Sequence, residues 1–170
     1  NNAPASFSMD KLLWFNKKYI SNLDNRSLIS KASDYSNHFK EDSKSIVVIN
    51  LIKDRCSLMS DFKKESDYFF EDLDKIDSKL SSKVFNKQAL EILKRLIEEL
   101  EKVSEWTAEK IHSSIENVMS KNKVDMGSVG KPFRLSITGQ MNSPSIDKTA
   151  VILGKEKVIR RMNQVIKEFS

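Results

Sequence analysis

Four glycines and three prolines are all that punctuate 170 residues. A turn-rich sheet fold needs more breaks than that, so the chain is expected to be all-α, with helices joined by short loops. Ser8 is placed as an N-cap, with Phe7 and Leu12 as the two halves of a hydrophobic staple. The helix that follows carries Met9, Leu12, Leu13, Trp14 and Tyr19 and stops near Asn22. A second starts at Asp24 and runs through Leu28 and Ile29 towards Phe39. The segment 46–52 has the composition of a buried strand. Val48, Leu51, Ile52, Leu58, Met59 and Phe62 nevertheless recur at helical spacing, which predicts a buried helix instead.

Residues 84–103 give the clearest helix, striped by Leu93, Leu96, Ile97, Leu100 and Val103. Glu91–Arg95 and Glu98–Lys102 stand four apart with the acid first, the favourable order. Thr107 caps the next helix, with Trp106 and Ile111 as its staple. Gly127, Gly130 and Pro132 start a short helix that Gly139 ends. Another spans Ile146 to Leu153, and the last repeats Val158, Ile159, Met162, Val165, Ile166 and Phe169 on one face. Trp14 and Trp106 are expected in the core. Residues 71–83, acidic and rich in Ser, form the expected junction between two helical lobes.

At 39% hydrophobic and 31% charged, the chain has the balance of a soluble globular protein. No apolar run approaches the ~20 residues that cross a bilayer, and no signal-peptide pattern opens the chain, so no membrane partner is expected. Cys56 is the single cysteine, which excludes a disulfide framework and a thiolate metal site and suits a reducing cytoplasm. The opening residues Asn1 to Ala5 carry no initiator Met, and the chain is expected to be a fragment of something longer. Charge is distributed unevenly. Residues 121–170 hold ten Lys and Arg against four Asp and Glu, whereas the preceding stretch holds nineteen against twenty. Such a skew fits a polyanionic partner as well as it fits a basic surface with no partner.

No catalytic constellation emerges. His38 and His112 have neither Cys partners nor metal-ligand spacing, and surface or capping roles suit them. Gly127-Ser-Val-Gly130 matches a nucleic-acid-clamping GXXG loop, but its flanks lack the strands of that fold. Pro132 stands where a P-loop needs Ser or Thr. Arg55 breaks its local pattern, since it falls amid Val48, Leu51, Ile52, Leu58 and Met59. A guanidinium there needs an acid partner, an edge to snorkel to, or a nucleic-acid base or phosphate to face. Arg134, in the run Lys131-Pro-Phe-Arg-Leu-Ser-Ile-Thr-Gly139, is either a surface arginine or a second such contact. Tyr68, Phe69 and Phe70 suit core anchors better than a stacking platform.

Three of these segments together resemble bacterial glutamyl-tRNA synthetases. Phe7-Ser-Met-Asp-Lys-Leu-Leu-Trp-Phe-Asn-Lys-Lys-Tyr-Ile20 resembles the helix after that family's catalytic signature loop. Asp54-Arg55-Cys56 through Asp67-Tyr-Phe-Phe70 resembles its Arg-containing helix. The third match joins Lys131 to Gly139, then Ser143-Pro144, then Leu153-Gly154-Lys-Glu-Lys-Val158. The likeness covers roughly residues 7–166 in order. It departs at Ile146-Asp147, where the family usually has Leu then Phe, and at Phe133 and Ser136-Ile137.

The resemblance implies the two-lobed α-helical cage of class I synthetases, built to bind an anticodon loop. Residues 1–23 would end a stem-contact region, 24–83 would form the first lobe and 84–170 the second. Arg55 would read the third anticodon base of glutamate tRNA, and Lys131, Arg134, Ser143, Pro144 and Ile146 would contact the RNA. No catalytic or metal-binding residue is expected here, and no cofactor. ATP and magnesium would serve a catalytic domain absent from this chain, which as a cytoplasmic monomer would select tRNA without chemistry of its own. Rival readings are the anticodon module of another class I enzyme such as a lysyl one, or a helical protein-interaction module.

Overall fold

The computed structural model describes residues 8–73 and 75–170, and all regular structure among them is helical. The chain divides into two compact units, one ending at Phe70 and one running from Glu71 to Ser170. This division falls ahead of the 83/84 boundary drawn from sequence.

The first unit holds α1 (Met9–Asn22), α2 (Asn25–Ser33), α3 (Ser43–Ile52), a 3-10 turn (Lys53–Arg55) and α4 (Asp61–Phe70). Ser8 and Asp24 cap α1 and α2 as expected, accepting from the Lys11 and Ser27 amides. Phe7, half of the expected staple, lies outside the described residues. Helix α2 ends at Ser33, short of Phe39. Segment 46–52 is helical, and α3 packs between α2 and α4 with Val48, Ile49 and Ile52 fully buried. Phe39 meets Phe62 and Phe70 edge-on at 6.2 and 5.7 Å. Tyr68 and Phe69 are buried, the core anchors expected of them.

Helix α1 departs from expectation. Only Ile20 of its residues is buried, while Met9, Leu12, Trp14, Phe15 and Tyr19 are 49–68% exposed. Trp14 is therefore a surface residue with Lys18 over its ring, not a core one. Apolar spacing predicts the helix but cannot say what covers it.

The second unit comprises α5 (Ser78–Val84), α6 (Lys87–Glu101), α7 (Ala108–Asn122), α8 (Met126–Thr138), α9 (Ile146–Leu153) and α10 (Lys155–Phe169). Helix α5 occupies the end of the stretch expected to be a plain junction. Asp77 starts it, accepting from the Lys79 and Leu80 amides. Helix α6 is central, packing against α7, α8 and α10 with the predicted Leu93, Leu96, Ile97 and Leu100 buried. Its ion pairs are Glu91–Lys94 and Glu99–Lys102, three apart rather than the four expected. Lys121 also reaches Glu99 at 2.9 Å and ties α7 to α6. Lys155, opening α10, donates to the Glu101 and Val103 carbonyls and so satisfies the end of α6. Thr107 caps α7, and the Trp106 indole N–H donates to the Ala150 carbonyl at 2.9 Å. Helix α8 starts ahead of Pro132, on an Asp125 cap, so Gly127 and Gly130 are helical and form no GXXG loop.

Two backbone positions lie in regions that side chains disfavour. Gly154 joins α9 to α10 at φ 82°, ψ 151°, a region that only glycine occupies comfortably. Lys123 ends α7 at φ 53°, where a side chain is disfavoured. Gly154→Ala is expected to lower unfolding stability by about 1–3 kcal/mol, and Lys123→Gly to raise it by about 0.5–1 kcal/mol. Urea titration reads both. Hydrogen bonds from Lys121 and then Lys102 hold the Glu99 carboxyl down to about 2. A depressed carboxylate stabilises the fold above its unfolded value and loses that contribution as pH falls through its folded one. The stability gap between wild type and Glu99→Gln is therefore expected to be full at neutral pH and to fade between about 4.5 and 2.

Candidate nucleic-acid interface

Arg55 belongs to the first unit, and its setting corrects the picture of a guanidinium inside one continuous stripe. The helix does not run on from 46 to 62. It tightens at Lys53–Arg55 and breaks at Cys56, whose backbone is extended. The Asp61 carboxylate accepts from the Ser57 and Leu58 amides, both at 2.8 Å, and the Asn16 amide group donates to the Ser57 carbonyl. These local bonds offer the backbone an alternative to helix, and Leu58 turns out to be 45% exposed. Arg55 thus lies at a half-buried edge. Its Nε donates to Glu65 at 2.8 Å, and the two side chains are 26% and 15% exposed. A carboxylate on the Nε edge fixes the guanidinium plane, as a pre-set fork requires. Beside it, burial, then the charges of Glu65 and Asp61, push the Cys56 thiol up to about 12, so it stays protonated and unreactive.

The remaining candidates lie in the second unit, and α8 organises them. Gly139 closes this helix at φ 69°, its amide bonded to the Leu135 carbonyl. The chain then loops back and re-enters helix at Ile146. Arg134, one turn before the end of α8, reaches across that loop. Its Nη1 donates to the Ser143 and Pro144 carbonyls, each at 2.8 Å, and to the Ser143 hydroxyl. Arg134 is partly buried, and Arg134, Ser143 and Pro144 form one bonded unit. Ser143 and Ile146 are only 6% and 7% exposed, and Pro144 is buried too. Lys131 stands one turn earlier on α8, exposed, on the wall of a shallow groove of about 240 Å³ shared with Lys83, Asn86 and Ser128.

The side chains that this stretch presents to solvent are therefore Met141, Asn142, Ser145 and Lys148, none of which was singled out from sequence. Their only sequence signal is position beside Pro144. Exposure had to come from the fold. Ser145 donates to the Asp147 carboxylate, which also accepts from the Lys148 amide. The acid noted in the sequence at 147 is thus engaged at the start of α9. Arg134→Met would leave two buried carbonyls without their donor. It is expected to lower stability by about 1–3 kcal/mol, measured by thermal unfolding, with hydrogen exchange rising first in residues 140–145.

The model of the anticodon binding domain family matches residues 11–166. A glutamate–tRNA ligase of Vesicomyosocius okutanii subsp. Calyptogena okutanii is 34% identical over 170 residues, covering 98% of this chain and 37% of that protein. Two crystal structures are similar over most of the chain. The glutamate tRNA ligase of Elizabethkingia meningosepticum, in complex with its amino acid, has a TM-score of 0.84 at 26% identity, over 96% of this chain and 33% of the other. The glutamate-tRNA synthetase of Elizabethkingia anophelis has a TM-score of 0.77 at 29% identity, over 95% and 32%. The chain thus spans about a third of the length of the relatives it matches. With the family model matched over nearly its whole length, the chain belongs to the anticodon binding domain family.

Proposed function

We propose that this chain supplies tRNA selection to a glutamate–tRNA ligase, by binding the anticodon loop of glutamate tRNA. The observation that carries this reading is the bonded unit of Arg134, Ser143 and Pro144, which holds the loop matched to the family's anticodon contacts in one conformation. A loop fixed before binding loses less entropy when it meets RNA. Charge supports the same reading. Residues 121–170 carry the chain's basic excess, and Lys123, Lys131 and Lys148 are exposed there. Lysines of this kind give salt-dependent grip on phosphates without reading sequence.

Discrimination falls to Arg55. Glu65 orients its guanidinium, and a fork so fixed rewards one base edge while the wrong base leaves it poorly paired. Lys131, Arg134, Ser143, Pro144 and Ile146 complete the proposed contact region, with Ser143, Pro144 and Ile146 shaping it from within. The exposed residues Met141, Asn142 and Ser145 join it. ATP and magnesium act in the catalytic region of the longer ligase, where glutamate is activated and transferred. Residues 1–23 end the stem-contact region that precedes the lobes. The uncovered apolar face of α1 supports this, since Met9, Leu12, Leu13, Phe15 and Tyr19 line a groove with nothing among the described residues to fill it.

The test is binding of the chain to glutamate tRNA and to a variant whose third anticodon base is changed from C to G, at two salt concentrations. A preference of roughly tenfold for C is expected, within the 1–3 kcal/mol of one bidentate base contact. Arg55→Gln should abolish that preference and leave the salt-sensitive component intact. Equal binding of both RNAs by the wild type would exclude base reading by Arg55.

A further inference from the structure

We propose that Arg161, at the heart of the second unit, is a positioning residue for the loop between Gly139 and Ser145, acting through the last turn of α8. The proposal rests on the anticodon-binding reading of that loop. Arg161 lies on α10 and is 2% exposed, the largest fully buried side chain described. Its Nη1 donates to the Ile137 carbonyl and its Nη2 to the Glu71 carbonyl at 2.6 Å, while Nε has no hydrogen-bond partner among the described residues. No carboxylate takes part in those bonds. Burial lowers its hold on the proton, to about 10.

An arrangement that desolvates a cation and leaves one N–H unsatisfied is a poor way to fill space. An apolar chain of similar volume packs such a position at no electrostatic cost. What the guanidinium alone achieves is to join three pieces of backbone. Ile137 is in the final turn of α8, whose last carbonyls have no partner within the helix. Neighbouring carbonyls there are met locally, since the Thr138 hydroxyl donates to Arg134 and the Gly139 amide to Leu135. Arg161 takes the Ile137 carbonyl from the core side. Glu71 begins a short segment that α10 grips repeatedly. Lys157 also donates to the Glu71 carbonyl at 3.2 Å, and Arg160 pairs with Asp72 at 2.6 Å. Leu73 of that segment lies against Gly139, where the loop leaves the helix.

The loop is thereby held at both ends, by one arginine from α8 and one from α10. Arg134 fixes its return at Ser143 and Pro144, and Arg161 fixes its departure at Ile137. Either guanidinium alone leaves the other end free to shift, and a small displacement of a pre-set loop is enough to weaken base contacts.

The test compares wild type with Arg161→Met, which keeps the volume and removes the donors, and with Arg161→Lys, which keeps the charge with a single ammonium. Each is measured for helical content, for cooperative unfolding, and for affinity towards glutamate tRNA and an otherwise identical tRNA with its three anticodon bases replaced. Folded Arg161→Met is expected to bind glutamate tRNA about tenfold more weakly while binding the altered tRNA as wild type does, so that the preference shrinks by the same factor. Arg161→Lys should fall in between. Wild-type preference in folded Arg161→Met, or equal weakening towards both RNAs, overturns the proposal. Should Arg161→Met not fold, full preference in Arg161→Lys overturns it. Arg134→Met separates the two levels. Loss of preference there with Arg161 variants unaffected removes only the role of Arg161. Absence of any anticodon preference in the wild type removes the anticodon reading, and this proposal with it.

Discussion

Helix α6 buries seven of its fifteen residues, and no single neighbour can cover so wide an apolar face. Three helices surround it, α7, α8 and α10, and their places in the second unit follow from that demand. The orphan backbone groups at the ends of α6 also find partners. Asn86 meets the first, accepting from the Ala89 amide, and Lys155 meets the last from the start of α10. A hydrophobic requirement thus fixes the helices, and hydrogen-bond accounting at their ends fixes the register between them.

Arginine carries much of that accounting. Arg134 and Arg161 are spent on main-chain carbonyls, where several fixed donors on one planar group can bind segments distant in sequence. A lysine ammonium has comparable charge but no fork, so it ties fewer points with less angular definition. Arg55 differs, since its partner is a carboxylate and its side chain stays partly exposed. The chemistry of the three side chains is the same. Their settings separate by burial and by what they face, with two bonded to backbone and one paired with a carboxylate at a partly exposed edge.

The loop after α8 shows how an exposed surface is set by buried residues. Ser143, Pro144 and Ile146 are packed inwards, and by being packed they hold Met141, Asn142 and Ser145 outwards. Helix α1 illustrates the opposite case. Its apolar residues also recur along the helix, yet most of them face solvent. Periodicity reports that a face exists, and burial depends on whether something is there to receive it.

Much of this protein was determined by local rules visible in its sequence. The shortage of Gly and Pro dictated helices, and the caps Ser8, Asp24 and Thr107 marked starts that hydrogen bonding then honoured. The stripes of α6 and α10 named the core of the second unit, because 3.6-residue periodicity is a property of the chain alone. Recognition of the family likewise needed only motifs in series. Other features belonged to the tertiary structure. The break after Arg55 depends on Asp61 and Asn16 reaching the same turn, and a single window of sequence cannot weigh bonds between such partners. Arg134 became a loop clamp only when Pro144 came within 2.8 Å of it. Arg161, unremarkable in sequence beside Arg160, became the buried tie because α10 turns one arginine inwards and the other out. Sequence spacing states which side chains share a face, but which carbonyl waits opposite that face is decided only when distant segments meet.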